Sequence, residues 1–303
     1  MTDATPARWP AKTRELHNHH MKSTVWNDFT FRDDDIVIAT YAKSGTTWMQ
    51  QIVAQLIFGG AENIHVHELS PWVDLRIIPP EMIAGLDNQT HRRFVKTHLP
   101  VDALVFSPNA KYICIGRDGR DAAWSFFNHY SNLSEERRAA MNGPGLVGDP
   151  LPQCPPTALE FFRTWFAENG KPIWPYWDNI RSWWTIRHLP NVKLIHFNQL
   201  KTDLTGSIAA IAAFLDYQLT PESLARIESH CTFDYMKRNA ALVTPSGGVQ
   251  FKGGGATFIN KGTNGRWRDE LPPDESAAYD AKAVAELGVD CGHWLATGEL
   301  VKA

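Results

Sequence analysis

The stretch Ile36-Val37-Ile38-Ala39-Thr40-Tyr41-Ala42-Lys43-Ser44-Gly45-Thr46-Thr47-Trp48 decides the fold, because an apolar, β-branched run passes through a short polar turn directly into an amphipathic helix. Ile36 to Thr40 reads as a buried strand. Beyond the turn, Trp48, Met49, Ile52, Val53, Leu56 and Ile57 recur at helical spacing, which predicts a helix that buries one stripe and leaves its start open. Gly45 lets the backbone come close to a ligand, and the first amides of the helix have no partner of their own. Such a helix start favours phosphate and similar anions. Lys43 adds charge there, while Ser44, Thr46 and Thr47 add hydroxyl donors. A Walker turn needs a glycine five residues before Gly45 and a lysine directly after it, and this chain has Thr40 and Thr46 at those places.

In unbroken order, Lys43-Ser44-Gly45-Thr46-Thr47-Trp48 resembles the cosubstrate loop of the cytosolic sulfotransferases, of which this chain looks like a bacterial member. The resemblance implies transfer of a sulfo group from 3′-phosphoadenosine 5′-phosphosulfate (PAPS), with the loop around the phosphosulfate and Trp48 against the adenine. Trp48 reads equally well as a core residue at the helix start. A second element, Arg93-Phe94-Val95-Lys96-Thr97-His98-Leu99-Pro100, reads as the end of another strand. Lys96 and His98 are one strand period apart and leave the sheet on one side, and Pro100 keeps Leu99 extended. Lys-Thr-His-Leu-Pro is similar to the family element whose histidine takes the acceptor's proton.

That role suits the chemistry. A hydroxyl is a poor nucleophile at neutral pH, and an imidazole is then largely neutral and able to accept a proton. Negative charge grows on the leaving phosphate, so Lys43 and Lys96 are the expected transition-state cations. A sulfo group carries less negative charge than a phosphoryl group, so no metal is expected, and no metal-ligand cluster stands in the sequence. His17, His19 and His20, and the pair His65 and His67, lack the Cys or carboxylate partners of a closed site.

The run Lys111 to Gly116 reads as a buried strand, and the segment after Asp118 as a helix opened by acidic residues. The resemblance assigns Arg117 and Ser125, eight residues apart as in the family, to the extra ribose phosphate. Arg120 is read instead as part of a solvated charge cluster. Asn260-Lys261-Gly262-Thr263-Asn264-Gly265-Arg266-Trp267 resembles the family's closing loop, with Lys261 and Gly262 toward the carrier. Asn260 stands where that pattern has Arg and Arg266 where it has Asp, so either Arg266 or Arg268 is left to replace the missing cation. Phe197 stands at a family Tyr near the adenine, and Thr232 and Phe233 are adenine-side candidates or core residues.

With 303 residues, 43% hydrophobic and 21% charged, the chain can bury a large core as one domain, residues 1–303. Alternating strand and helix patterns predict an α/β fold around a central parallel β-sheet flanked by helices, with ligands at the strand ends. Residues 1–30 read as a polar arm, 131–156 as an acceptor lid loop together with Phe126, Phe127 and Tyr130, and 244–268 as a mobile closing loop. His129 reads as structural. Some of Trp165, Trp174, Trp177, Trp183 and Trp184 are candidates for the acceptor pocket. A net charge of −3 gives no reason to expect nucleic acid, and no apolar run reaches spanning length, so a cytoplasmic enzyme acting on a small hydroxyl acceptor is expected, away from membranes. The four cysteines read as free thiols. The alternatives are a nucleotide-binding module of the same fold without catalysis and, last, a P-loop kinase. The family's dimer motif is not recognisable from Arg268 through Ser276, which leaves the oligomeric state open.

Overall fold

The structure is a computed structural model that describes residues 9–301. Its frame is a four-stranded sheet of β1 (Ile36–Thr40), β2 (Phe94–Thr97), β3 (Lys111–Gly116) and β4 (Val192–His196). The order is β2-β1-β3-β4 and every pairing is parallel. All five residues of β1 are buried, which is why its sequence shows no polar alternation: a parallel sheet is covered on both faces. Val37, Ala39, Val95, Tyr112 and Cys114 point into one core, and Ile36, Ile38, Phe94, Ile113 and Ile115 into the other.

Helix α1 (Thr46–Ile57) closes the second core with Met49, Ile52, Val53 and Leu56, the stripe expected from spacing. Across the sheet, the helices Gly119–Ser131, Ala158–Ala167 and Tyr176–Thr185 supply the aromatic side of the first core. Trp165, Trp177 and Trp183 are buried there. At the amino ends of β1 and β2, Arg93 forks onto Asp35 with nitrogen to oxygen distances of 2.8 and 2.6 Å. Removing one member of that buried pair would leave the other uncompensated.

Several segments differ from their sequence reading. Of the arm 1–30, residues 1–8 lie outside the described residues, and the remainder is packed rather than polar. Asn18, His19, His20, Met21 and Trp26 are buried, and Met21 bridges to Leu75. The lid 131–156 contains a helix, Glu135–Met141, capped by the Ser134 hydroxyl, which accepts from the Arg137 amide. Residues 244–268 hold short helical turns, Pro245–Gly248, Gly255–Phe258 and Arg266–Asp269. The two segments are stitched together. Leu133 pairs with Phe251, the Ser134 amide donates to the Gln250 carbonyl at 2.9 Å, and the Lys252 amide to the Asn132 carbonyl at 2.8 Å. No helix among the described residues is long and apolar enough to cross a membrane.

Candidate active site

A cavity of about 340 Å³ opens at the carboxyl ends of the strands. The turn after β1 forms its floor. Lys43 has φ +67° and Gly45 φ +114°, so the chain reverses through the left-handed region twice in three residues. A Cβ on Gly45 would stand 3.0 Å from the Phe197 ring, which begins the helix after β4. The glycine is therefore required by backbone shape and by close approach. Thr40 Oγ1 and Thr46 Oγ1, 2.5 Å apart, tie the turn from below. Lys43, Gly45, Thr46, Thr47 and Trp48 all line the cavity. Ser44 does not: its hydroxyl is buried without a partner beneath the turn.

The chain leaving β2 brings His98 and Lys96 to the same cavity. His98 Nδ1 lies 2.7 Å from the Thr40 carbonyl oxygen. A carbonyl only accepts, so Nδ1 carries the proton and Nε2 keeps a free electron pair. The ring is fixed edge-on to Trp72 at 4.5 Å between centroids, and Asn179 Nδ2 donates to the His98 carbonyl at 2.9 Å. Burial holds the imidazole down to about 3, with repulsion from Lys96 and Lys43 added and the Thr40 bond partly offsetting it. Burial likewise lowers Lys43 to about 7, helped by Arg117 and Lys96. Lys96 falls to about 8, again chiefly through burial, with Asp74 drawing it upward and Arg137 repelling it. Lys43, Lys96 and Arg117 thus bring three cationic side chains to one cavity, with the carboxylates of Asp121 and Asp118 acting on Arg117 and that of Asp74 on Lys96.

Arg117, at the end of β3, donates from Nη1 to the Lys43 carbonyl at 2.9 Å and rests over the Phe197 ring at 4.2 Å. Its Nε and Nη2 both point to Asn264 Oδ1, at 3.0 and 2.7 Å. Ser125, two turns into the following helix, lines the same cavity. From the closing segment come Lys261, Gly262 and Arg266. A Cβ on Gly262 would stand 2.6 Å from the Phe233 ring, so this glycine also marks a tight approach. Lys201 reaches over to donate to the Gly262 carbonyl at 2.8 Å. Arg266 enters the cavity near Arg117, whereas Arg268 lies over Trp267 outside it.

The structure bears on four sequence readings. Thr232 does not line the cavity; its hydroxyl caps the helix Phe233–Arg238 by accepting from the Tyr235 amide. Trp48 does line it, with its indole N–H anchored on the Cys231 carbonyl at 2.7 Å. Arg120 is not solvated: it is buried between Asp118 and Asp280 and carries Trp267 on its guanidinium at 4.1 Å. His129, read as structural, lines the cavity with Nδ1 3.5 Å from Lys43 Nζ. None of the five tryptophans between positions 165 and 184 reaches the cavity, and of Phe126, Phe127 and Tyr130 only Phe126 does. Leu75, Ile78, Met82, Leu133 and Met141 form an apolar part of the cavity wall, with His20 among them. Leu75, Ile78 and Met82 were invisible as a wall because nothing local marks which loop folds inward. No group of three or more metal-ligating side chains comes together among the described residues.

The site is a cavity at the carboxyl ends of a parallel α/β sheet, with Lys43, Lys96, His98 and Arg117 in its lining. Residues 33–287 match the family model described as "Sulfotransferase domain". A glycolipid sulfotransferase of Mycobacterium bovis is 31% identical over 295 residues, covering 89% of this chain and 90% of the relative. Human sulfotransferase 2B1 is also 31% identical, over 88% of this chain and 69% of its own length. Mouse sulfotransferase SULT7A1, solved with PAP, superposes with a TM-score of 0.70 at 24% identity, covering 90% of this chain and 91% of that one. Retinol dehydratase, solved with retinol and PAP, superposes at 0.68 and 24% identity, over 87% and 84%. The chain belongs to the PAPS-dependent sulfotransferase family.

Proposed function

We propose that the chain moves a sulfo group from PAPS to the hydroxyl of a small, largely apolar acceptor, a phenol or an alcohol. One observation carries this reading: the bond from Nδ1 to Thr40 leaves His98 Nε2 unprotonated in a cavity that also holds Lys43, Lys96 and Arg117. The residues present fit the carrier, since two glycines lie where a Cβ would strike an aromatic ring and Lys43, Lys96, Arg117 and Lys261 line the same cavity. PAPS supplies an activated sulfo group. The amides and hydroxyls of the Gly45 turn hold the phosphosulfate, Lys43 stabilises the charge that develops on the leaving phosphate, and Lys96 reaches the transferring group. Arg117 and Ser125 hold the ribose phosphate after Asn264 gives up the guanidinium fork. Arg266 replaces the cation missing at Asn260. Phe197, Phe233 and Trp48 face the adenine, and residues 244–268 close over it.

His98 accepts the acceptor's proton at Nε2. Free of the carrier, it is a weak base chiefly because it is buried, and further because it faces two ammonium groups. Anionic phosphosulfate between them offsets that repulsion and raises the imidazole toward its ordinary range. The base is therefore strengthened when the donor is in place.

A binding module without catalysis is disfavoured by this tautomer lock, which has no use in nucleotide retention alone. Incubation with PAPS and a panel of phenols and alcohols tests the proposal, with mass detection of sulfated product and of released adenosine bisphosphate. Absence of both for every acceptor, under conditions where carrier binding is measured, sinks it.

Carrier binding should also take up protons. An anion raises Lys43 and Lys96 above the values near 7 and 8 that they hold in the free cavity. Binding is then strongest below those values and weakens as pH rises through them, by up to about tenfold per unit for each lysine. At pH 8 the carrier's own phosphate is already ionised, so calorimetry in buffers of different ionisation enthalpy should read uptake of about one proton. Zero uptake would show that these lysines do not meet the carrier.

A further inference from the structure

The acceptor end of the cavity contains one cation that sulfo transfer does not use. Arg137 lies on the short helix Glu135–Met141, and it and Met141, one turn later, both line the cavity. Glu135 and Glu136 are exposed, and Arg138 turns away to donate to the Pro152 carbonyl at 2.9 Å. Among the described residues the Arg137 side chain makes no hydrogen bond or ion pair; only its backbone amide is engaged, by the Ser134 cap. The contrast with other arginines of the buried interior is sharp. Arg93 has Asp35, Arg120 has Asp118 and Asp280, and Arg117 has Asn264.

Burial lowers the Arg137 guanidinium to about 10, with no acid drawing it back. Its charge is felt at His20, His129 and Lys96 but not answered by any of them, since burial keeps both histidines neutral. A half-buried cation without a counter-charge is costly to a fold, and the surrounding wall of Leu75, Ile78, Met82, Leu133 and Met141 offers it nothing. Its planar fork is matched by a carboxylate, and His98 stands in the same cavity to face a hydroxyl.

We propose that Arg137 is a specificity residue that binds a carboxylate carried by the acceptor away from its reacting hydroxyl, so that the preferred acceptors are hydroxy acids with an apolar body. This rests on the sulfotransferase reading of the same cavity and narrows its substrate class.

Hydroxyphenyl-alkanoic acids of increasing chain length, each paired with its methyl ester, provide the test. With PAPS present, the wild-type enzyme should favour the acid over its ester by about 10- to 100-fold in kcat/KM at the best chain length. Arg137→Met should bring that ratio near one by losing the acid while leaving the ester and the KM for PAPS unchanged. Arg137→Lys should keep part of the preference. Calorimetry of the same pairs with adenosine bisphosphate-saturated protein gives a readout independent of turnover. The idea is overturned if acids and esters are used equally at every length, or if Arg137→Met keeps the acid preference. Esters turned over with no preference for acids would refute the Arg137 role alone. Acid binding that depends on Arg137, with no compound sulfated, would instead refute the reaction and leave the carboxylate site standing.

Discussion

His98→Ala is expected to lower kcat by about 10²- to 10⁴-fold, the range for loss of a positioned general base, while carrier affinity changes little. The separation follows from where the side chain is held. His98 contacts Thr40 and Trp72, whereas the turn at Gly45 has a further tie, the contact between the Thr40 and Thr46 hydroxyls, that remains when the imidazole is removed. Single-turnover rates and calorimetry with adenosine bisphosphate check both halves. A variant that lost carrier binding as well would reassign His98 to shaping the turn. The pH profile gives a second check. Because the free imidazole is held to about 3, the acid limb of kcat/KM for PAPS, which reports the carrier-free enzyme, should not fall near the usual histidine value, and the basic limb should come from Lys43 and Lys96 at about 7 to 8. A sole limb near 6.5 would contradict the burial described for His98.

Lys43→Gly should cost about 10²- to 10³-fold in kcat, as expected when a cation aimed at developing charge is removed. Its effect on folding should have the opposite sign. Lys43 sits at φ +67° with its ammonium buried and placed over the Phe258 ring at 4.4 Å, so glycine relieves a left-handed backbone and removes a poorly solvated charge together. A Tm equal to or above that of the wild type, with activity largely gone, is the expected pair of results. A drop of several degrees would show that the lysine stabilises the turn. Lys43→Met keeps the strain and loses only the charge, and should match the loss in rate without the gain in Tm.

The parts legible in the sequence are those whose geometry is local. The turn from Lys43 to Trp48 is set by adjacent dihedrals, and the spacing of Lys96 and His98 is set by the strand pleat, so both are visible in a short window. Arg117 and Ser125 share one strand-to-helix junction and are visible for the same reason. His20, His129, Arg137 and the wall from Leu75 to Met82 are brought in by distant elements, and no local period marks them. Arg120 was misread because its partner Asp280 lies 160 residues away. The helix at Glu135–Met141 had a usable signal, Ser134 before two glutamates, which the Gly143-Pro144-Gly145 turn outweighed. Thr232 shows the converse: a matched motif position whose hydroxyl is already spent on a helix start.

The stitch between residues 132–134 and 250–252 gives the molecule a property that neither segment has alone. Displacing the strap over the nucleotide also pulls at Leu133 and at the base of the helix bearing Arg137 and Met141. On the proposed function, the apolar wall that includes Leu133 and Met141 is thereby linked to residues 250–252 of the closing segment. Occupancy of either half should then favour the other, and by reciprocity each ligand should tighten its neighbour by the same factor. The coupling would run through two backbone hydrogen bonds, Ser134 to Gln250 and Lys252 to Asn132.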